Sequence, residues 1–167
     1  MEIFKINFKS HVKAANSMIL IVLMSAFFPY LMSILEHQDI ASFIWLGILM
    51  FVVFATPCFL LHINYTIVNH GDVFKYSYQE RKVTILRKGK STTFNLDEID
   101  SVERFMSFNL AAKRSSVLPW DEYNHSYIQL KNGERFTITS LLVPNLNLPL
   151  EEGRIVIKQN FYRWPNL

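Results

Sequence analysis

Charge is what two long stretches of this chain lack. From Ser17 to Leu35 (SMILIVLMSAFFPYLMSIL) and from Ile40 to Ile63 (IASFIWLGILMFVVFATPCFLLHI) there is no Asp, Glu, Lys or Arg. A bilayer core of about 30 Å needs roughly 20 apolar residues of helix, and both runs have that length. At about −0.3 to −0.6 kcal/mol for each mid-membrane Leu, Ile, Phe or Val, each run favours insertion. The same absence leaves a proton or ion pathway nothing to run on. Cysteine is scarce too. Cys58 is the only one, which excludes an intrachain disulfide and a cysteine-built metal cluster, and its place in the second run suggests a packing role. The chain also has no Gly-rich phosphate loop, no Gly-x-Ser-x-Gly and no His-Glu-x-x-His.

These absences predict no cofactor, no metal, no small-molecule substrate and no enzyme. Asp121, Glu122 and His125 beside Trp120 form the one group that resembles acid–base or metal chemistry. On an exposed loop ahead of a strand, that grouping reads as solvated turn chemistry. The formal charge of +3 is spread over the C-terminal part without a clustered basic face, so nucleic acid is not an expected partner.

The two runs predict a transmembrane helical hairpin over 17–63, with spans 17–35 and 40–63. A segment 1–16 precedes it and a domain 64–167 follows. The first run exceeds the roughly 7–15 residues of a signal-peptide core and no small-x-small cleavage site follows it, so it is read as uncleaved. Glu36-His37-Gln38-Asp39 joins the spans without a Lys or Arg, whereas Lys5, Lys9 and Lys13 precede them and Lys75, Arg81 and Lys82 follow. This asymmetry predicts that both termini are cytoplasmic. Pro29 and Pro57 are expected to kink the spans, each freeing a backbone carbonyl that a neighbouring helix or Ser25 or Thr56 can satisfy.

Segment 1–16 fits two patterns. Phe4, Phe8, Val12 and Ala15 share a helix face beside the three lysines, as an interfacial helix would. Phe4, Ile6 and Phe8 also alternate as an edge strand would. The lysine spacing extends to Lys13 and favours the helix.

After Ile63 the period becomes two. Short strands are predicted at 64–68, 73–78, 83–87, 91–96, 99–107, 126–130 and 135–139, separated by polar or glycine turns. Asn132-Gly133 between alternating strands predicts a type I′ turn. Segment 109–124 has no clear period, and 154–162 fits either a final strand or a short helix. The candidate contacts with a membrane surface or a partner are Lys5, Lys9, Lys13, Arg81, Lys82, Arg87, Lys88, Lys90, Lys113, Arg114 and Trp120. Arg81-Lys82 and Arg87-Lys88-Lys90 are expected at adjacent ends of sheet hairpins. Trp164 is expected either to anchor at the interface or to cap the core.

An apolar hairpin followed by NYTIVNHGDVF, VTILRKGKSTTF, NLDEIDSVERF and YIQLKNGERFTITSLL resembles the bacterial pleckstrin-homology-like membrane proteins over residues 64–143. The resemblance implies a membrane α+β protein: the hairpin, then a PH-like antiparallel sheet of seven strands bent into a small barrel and closed by one C-terminal helix. Pro144 and Pro149 interrupt the stretch where that helix would fall. Eukaryotic relatives often bind phosphoinositides through basic residues of the first strand hairpin. Here the turn is Asn69-His70-Gly71-Asp72, so that activity is not carried over. The resemblance implies the bacterial inner membrane and a non-enzymatic binding or scaffolding module. Its expected partners are the lipid bilayer and another protein. The alternative is an accessory subunit of a membrane transporter or stress-response complex, with the kinked spans packed on partner helices.

Overall fold

The computed structural model describes residues 1–116 and 118–165. Segment 1–16 is divided rather than uniform. Glu2–Lys5 is a strand, β1, and helix α1 runs from Phe8 to Glu36. The break is at Asn7, whose side chain accepts from the Ser10 amide while the Ser10 hydroxyl accepts from the Asn7 amide. That reciprocal cap starts the helix nine residues before the apolar run does. The expectation of one interfacial helix is corrected accordingly.

The return limb begins with a single 3₁₀ turn at Ile40–Ser42. It continues as α2 (Ile44–Met50), one π-helical stretch (Phe51–Ala55) and α3 (Thr56–Val68). Pro29 lies inside α1 and cannot donate to the Ser25 carbonyl one turn back. Gly47 of α2 packs there. A Cβ on Gly47 would lie 2.5 Å from Ser25 O and 2.7 Å from Pro29 Cγ, so only glycine allows this approach. Ser25 itself donates its hydroxyl to Ile21 O. Pro57 sits in the first turn of α3, where a missing amide costs least, and the π-helical stretch just before it accommodates the irregularity.

Residues 64–68, expected as a strand, are the last turn of α3. Cys58, Leu61 and Tyr65 fall on one face at spacings of three and four and are buried against Trp120, Tyr123 and Leu141. That packing outweighs the β-propensity of Thr66, Ile67 and Val68.

Among the described residues eight strands form two four-stranded sheets. The first has the order β1-β2-β3-β4, with β2 at Val73–Ser77, β3 at Lys82–Arg87 and β4 at Lys90–Asn95, all antiparallel. The second sheet contains β5 (Ile99–Met106), β6 (His125–Leu130), β7 (Arg135–Thr139) and β8 (Ile155–Gln159), in the order β7-β6-β5-β8. Strand β8 runs parallel to β5, which settles the C-terminal segment as a strand. A short helix α4, Phe108–Ala111, follows β5. The type I′ geometry falls at Lys88-Gly89, where both φ values are positive, whereas at Asn132-Gly133 only the glycine is left-handed.

The sheets share one core that includes Phe74, Ile85, Phe94, Val102, Ile128 and Ile138. The barrel is not closed, and among the described residues no helix caps it. Leu142, Val143, Leu146 and Leu148, from the proline-punctuated stretch after β7, fill that side of the core. A segment broken by Pro144 and Pro149 cannot keep helical hydrogen bonds, but it can still bury its leucines.

The hairpin therefore lies between β1 and β2, which pair in register from Glu2↔Tyr76 to Lys5↔Val73. A second tie sits at the end of α3. Asn69 donates to Asp72 (2.9 Å) and Thr137 O (2.9 Å) and accepts from Thr139 N (2.8 Å). Arg87 pairs with Asp72 at 2.7 Å and donates to Thr137 O, so the helix end is bound to both sheets.

Gly47→Val is expected to destabilise the hairpin by about 1–3 kcal/mol through overpacking against Ser25 and Pro29. Thermal unfolding of the detergent-solubilised full chain checks this, and Leu49→Val, on the exposed face, is expected to leave the midpoint nearly unchanged.

Candidate functional site

The irregular stretch between β5 and β6 packs on the root of the hairpin. His11 Nδ1 and His62 Nε2 are 2.9 Å apart, linking α1 to α3, and His62 Nδ1 lies 2.9 Å from the Tyr123 hydroxyl. Tyr65 donates to Arg163 O at 2.9 Å. That commits its one proton, so the 3.3 Å contact with His125 Nδ1 requires the ring nitrogen to donate. Arg163 is buried and donates to the carbonyls of Trp120, Tyr123, Asn160 and Phe161. Burial draws its pKa below the ordinary arginine value, while neighbouring Tyr65 and Asp121 oppose the shift. One side chain thus holds the loop and the C-terminal tail together.

Trp120, expected as an exposed contact, is 3% exposed. It stacks on Phe54 of the hairpin and meets Phe161 and Tyr162 edge-on or tilted. Asp121, Glu122 and His125 do not converge. Asp121 is buried and accepts from Asn109 Nδ2 and Leu118 N, Glu122 is exposed, and His125 stacks on Phe105 with ring centroids 4.8 Å apart. Among the described residues no group of three His, Cys, Asp or Glu side chains is arranged to hold a metal.

A groove opens between α1, α4 and the stretch after β7. At one end Ser10 and Lys13 line it beside Glu122. Through Leu110, Asn124, Pro144 and Asn145 it continues into a hollow of about 770 Å³ walled by Arg104, Lys113 and Arg114. Arg104 donates to Asn145 Oδ1 at 3.0 Å, and its buried Nε has no partner among the described residues. Burial lowers the Arg104 pKa. Lys113 and Arg114 pair with no acid among the described residues. Three cations and several amides on one concave wall suit an anionic group with hydrogen-bond acceptors.

The other predicted contacts are scattered. Lys5 is exposed at the end of β1, and Lys9 and Lys13 are exposed in the first turns of α1. Arg81-Lys82 and Arg87-Lys88-Lys90 lie at opposite ends of β3, not adjacent ones, and so about 17 Å apart. Arg81 lies 3.6 Å from Asp97, and Arg87 is committed to Asp72. Sequence reasoning missed Arg104 and Arg163. Arg104 did carry a signal, since it shares the inward parity of β5 with buried Val102 and Met106.

A family model described as the PH domain matches residues 3–149. The chain belongs to the PH domain family. The match begins inside β1, so it spans the hairpin as well as the sheets on either side of it. No curated protein and no solved structure matches the chain.

The buried network makes two predictions. Burial first, and the Arg163 charge second, hold the His125 pKa down at about 4 against an ordinary 6.5. The unfolded chain therefore takes up that proton first as pH falls. The contribution of His125 is complete above about pH 6.5, and about 3 kcal/mol is lost on acidifying towards pH 4. Thermal melts of the solubilised chain across this window should show the slope, and His125→Gln should flatten it. Arg163→Met leaves several buried carbonyls without donors and is expected to cost about 3 kcal/mol, measured the same way at pH 7.

Proposed function

We propose that this chain is a non-enzymatic, membrane-anchored PH-domain module whose groove receives an acidic segment of a protein partner. The hairpin lies in a bacterial inner membrane and the β-sheets face the cytoplasm. The helices support the anchor by their exposure. In the most apolar stretches of the two limbs only 11% and 22% of the residues are buried, whereas a soluble protein would bury such helices. Ile19, Leu23, Phe27, Leu31, Trp45 and Leu49 all present themselves to the surroundings. The lysine-rich leader and the cation-free Glu36–Asp39 linker support cytoplasmic termini.

The observation that carries the binding role is the wall of Arg104, Lys113 and Arg114, a concave site whose three cations pair with no acid among the described residues. A second reading, in which the hairpin packs on a partner's helices, is favoured by an apolar hollow of about 390 Å³ around Pro29 and Gly47 on the hairpin surface.

Copurification of the full chain in mild detergent tests the first reading. The double variant Lys113→Glu, Arg114→Glu is expected to lose a stoichiometric partner by tenfold or more. Arg81→Glu, Lys82→Glu, at the far end of β3, should retain it. Equal retention by both variants contradicts the groove as the binding surface.

A further inference from the structure

The domain does not stand clear of the apolar hairpin on a stalk. Counting about 20 residues of helix from the polar turn places the edge of a hydrocarbon core near Asn16 on α1 and Phe59 on α3. Phe54 is five residues inside that edge, about 7 Å along the helix. Trp120 stacks directly on Phe54. The loop carrying Trp120, and the aromatic residues gathered around it, therefore reach the boundary between the lipid headgroups and the hydrocarbon.

Those residues are exposed. Phe161 is 50% exposed and Tyr162 43%, and both touch Trp120. The Asn160 amide donates to Met106 O, so the tail leaves the sheet beside Phe108, which is 59% exposed. The tail is also held in place. Arg163 clamps the carbonyls of Asn160 and Phe161 on one side and those of Trp120 and Tyr123 on the other. Phe161 and Tyr162 meet edge-on with ring centroids 4.8 Å apart; a bilayer interface favours exposed aromatic rings, above all an amphipathic one such as Tyr162.

We propose that Phe108, Phe161 and Tyr162 form a second membrane anchor, inserted in the headgroup layer beside the hairpin and holding the PH domain against the bilayer in one orientation. This rests on the hairpin being embedded in lipid. The anchor predicts that the β6–β7 turn, at the far end of its strands from the His125–Thr139 pair near the helices, points away from the membrane. It also places the mouth of the cationic groove at Ser10 and Lys13 close to the lipid surface.

The test uses the full chain with Cys58→Ala, reconstituted in phosphatidylethanolamine–phosphatidylglycerol vesicles. An environment-sensitive fluorophore is attached at Phe161→Cys, Phe108→Cys, Asn132→Cys or Leu23→Cys, one at a time. Quenching is read with lipids spin-labelled near the headgroup or deep in the acyl chain. The expected result is strong quenching by the shallow label at 161 and 108, several-fold above that at 132, with deep quenching at 23. Quenching at 23 but no more at 161 and 108 than at 132 overturns the second anchor and leaves the hairpin's embedding intact. Absence of quenching at 23 overturns the embedding itself, and the second anchor with it. Tyr162→Cys replaces Phe161→Cys if the latter fails to fold, and the same comparison with 132 then decides.

Discussion

The structure depends on the pairing of β1 with β2. Four residues before the first helix bond to a strand that begins only after the second helix has returned, so everything in 6–72 is an excursion from one sheet. Such a closure is costly for a flexible chain, because its entropy must be given up before the strand pair forms. An apolar helical hairpin removes most of that cost. Once α1 packs on the return limb, with Gly47 against Ser25 and His11 against His62, the two ends emerge side by side. Lipid would favour this order of events, since each helix satisfies its own backbone before it finds its neighbour.

Polar side chains then fix how the sheets sit on the hairpin. The Asn69–Asp72–Arg87 group uses every hydrogen-bonding atom of the Asn69 amide to join the end of α3 to both sheets. Arg163 does the same for the β5–β6 stretch and the tail, through main-chain carbonyls. Buried groups of this kind contribute little net stability when satisfied and cost much when broken, so they specify an arrangement more than they strengthen it. Arg104 Nε at the groove, like Trp120 Nε1 and Thr139 Oγ1, is a buried group without a partner among the described residues.

The apolar runs were legible because an uncharged stretch of bilayer length has few other uses, and the alternating strands were legible because their buried faces recur every second residue. What could not be read was whatever depended on residues distant in sequence. Residues 64–68 look like a strand by composition and become helix because Tyr65 completes a face that begins at Cys58. Trp120 looks like a surface contact until Phe54 is placed beneath it. Arg87 looks free until Asp72 and Thr137 surround it. The closing helix expected of the family is replaced by a leucine-bearing strap, for which Pro144 and Pro149 were the visible warning. The groove was half legible: Lys113 and Arg114 were among the candidates, but Arg104 and Asn145 meet them only in three dimensions.

The most direct measurement of the central claim, that the hairpin is inserted within the PH domain rather than attached ahead of it, is a disulfide trap across β1 and β2. Ile3 and Lys75 face each other in the pair, within the span a disulfide bridges. In a Cys58→Ala full-length chain oxidised in the lysate of the cells that express it, Ile3→Cys with Lys75→Cys should form an intrachain disulfide rapidly, while Ile3→Cys with Asn132→Cys should not. Failure of the first pair to cross-link, or equal cross-linking by both, would contradict the insertion.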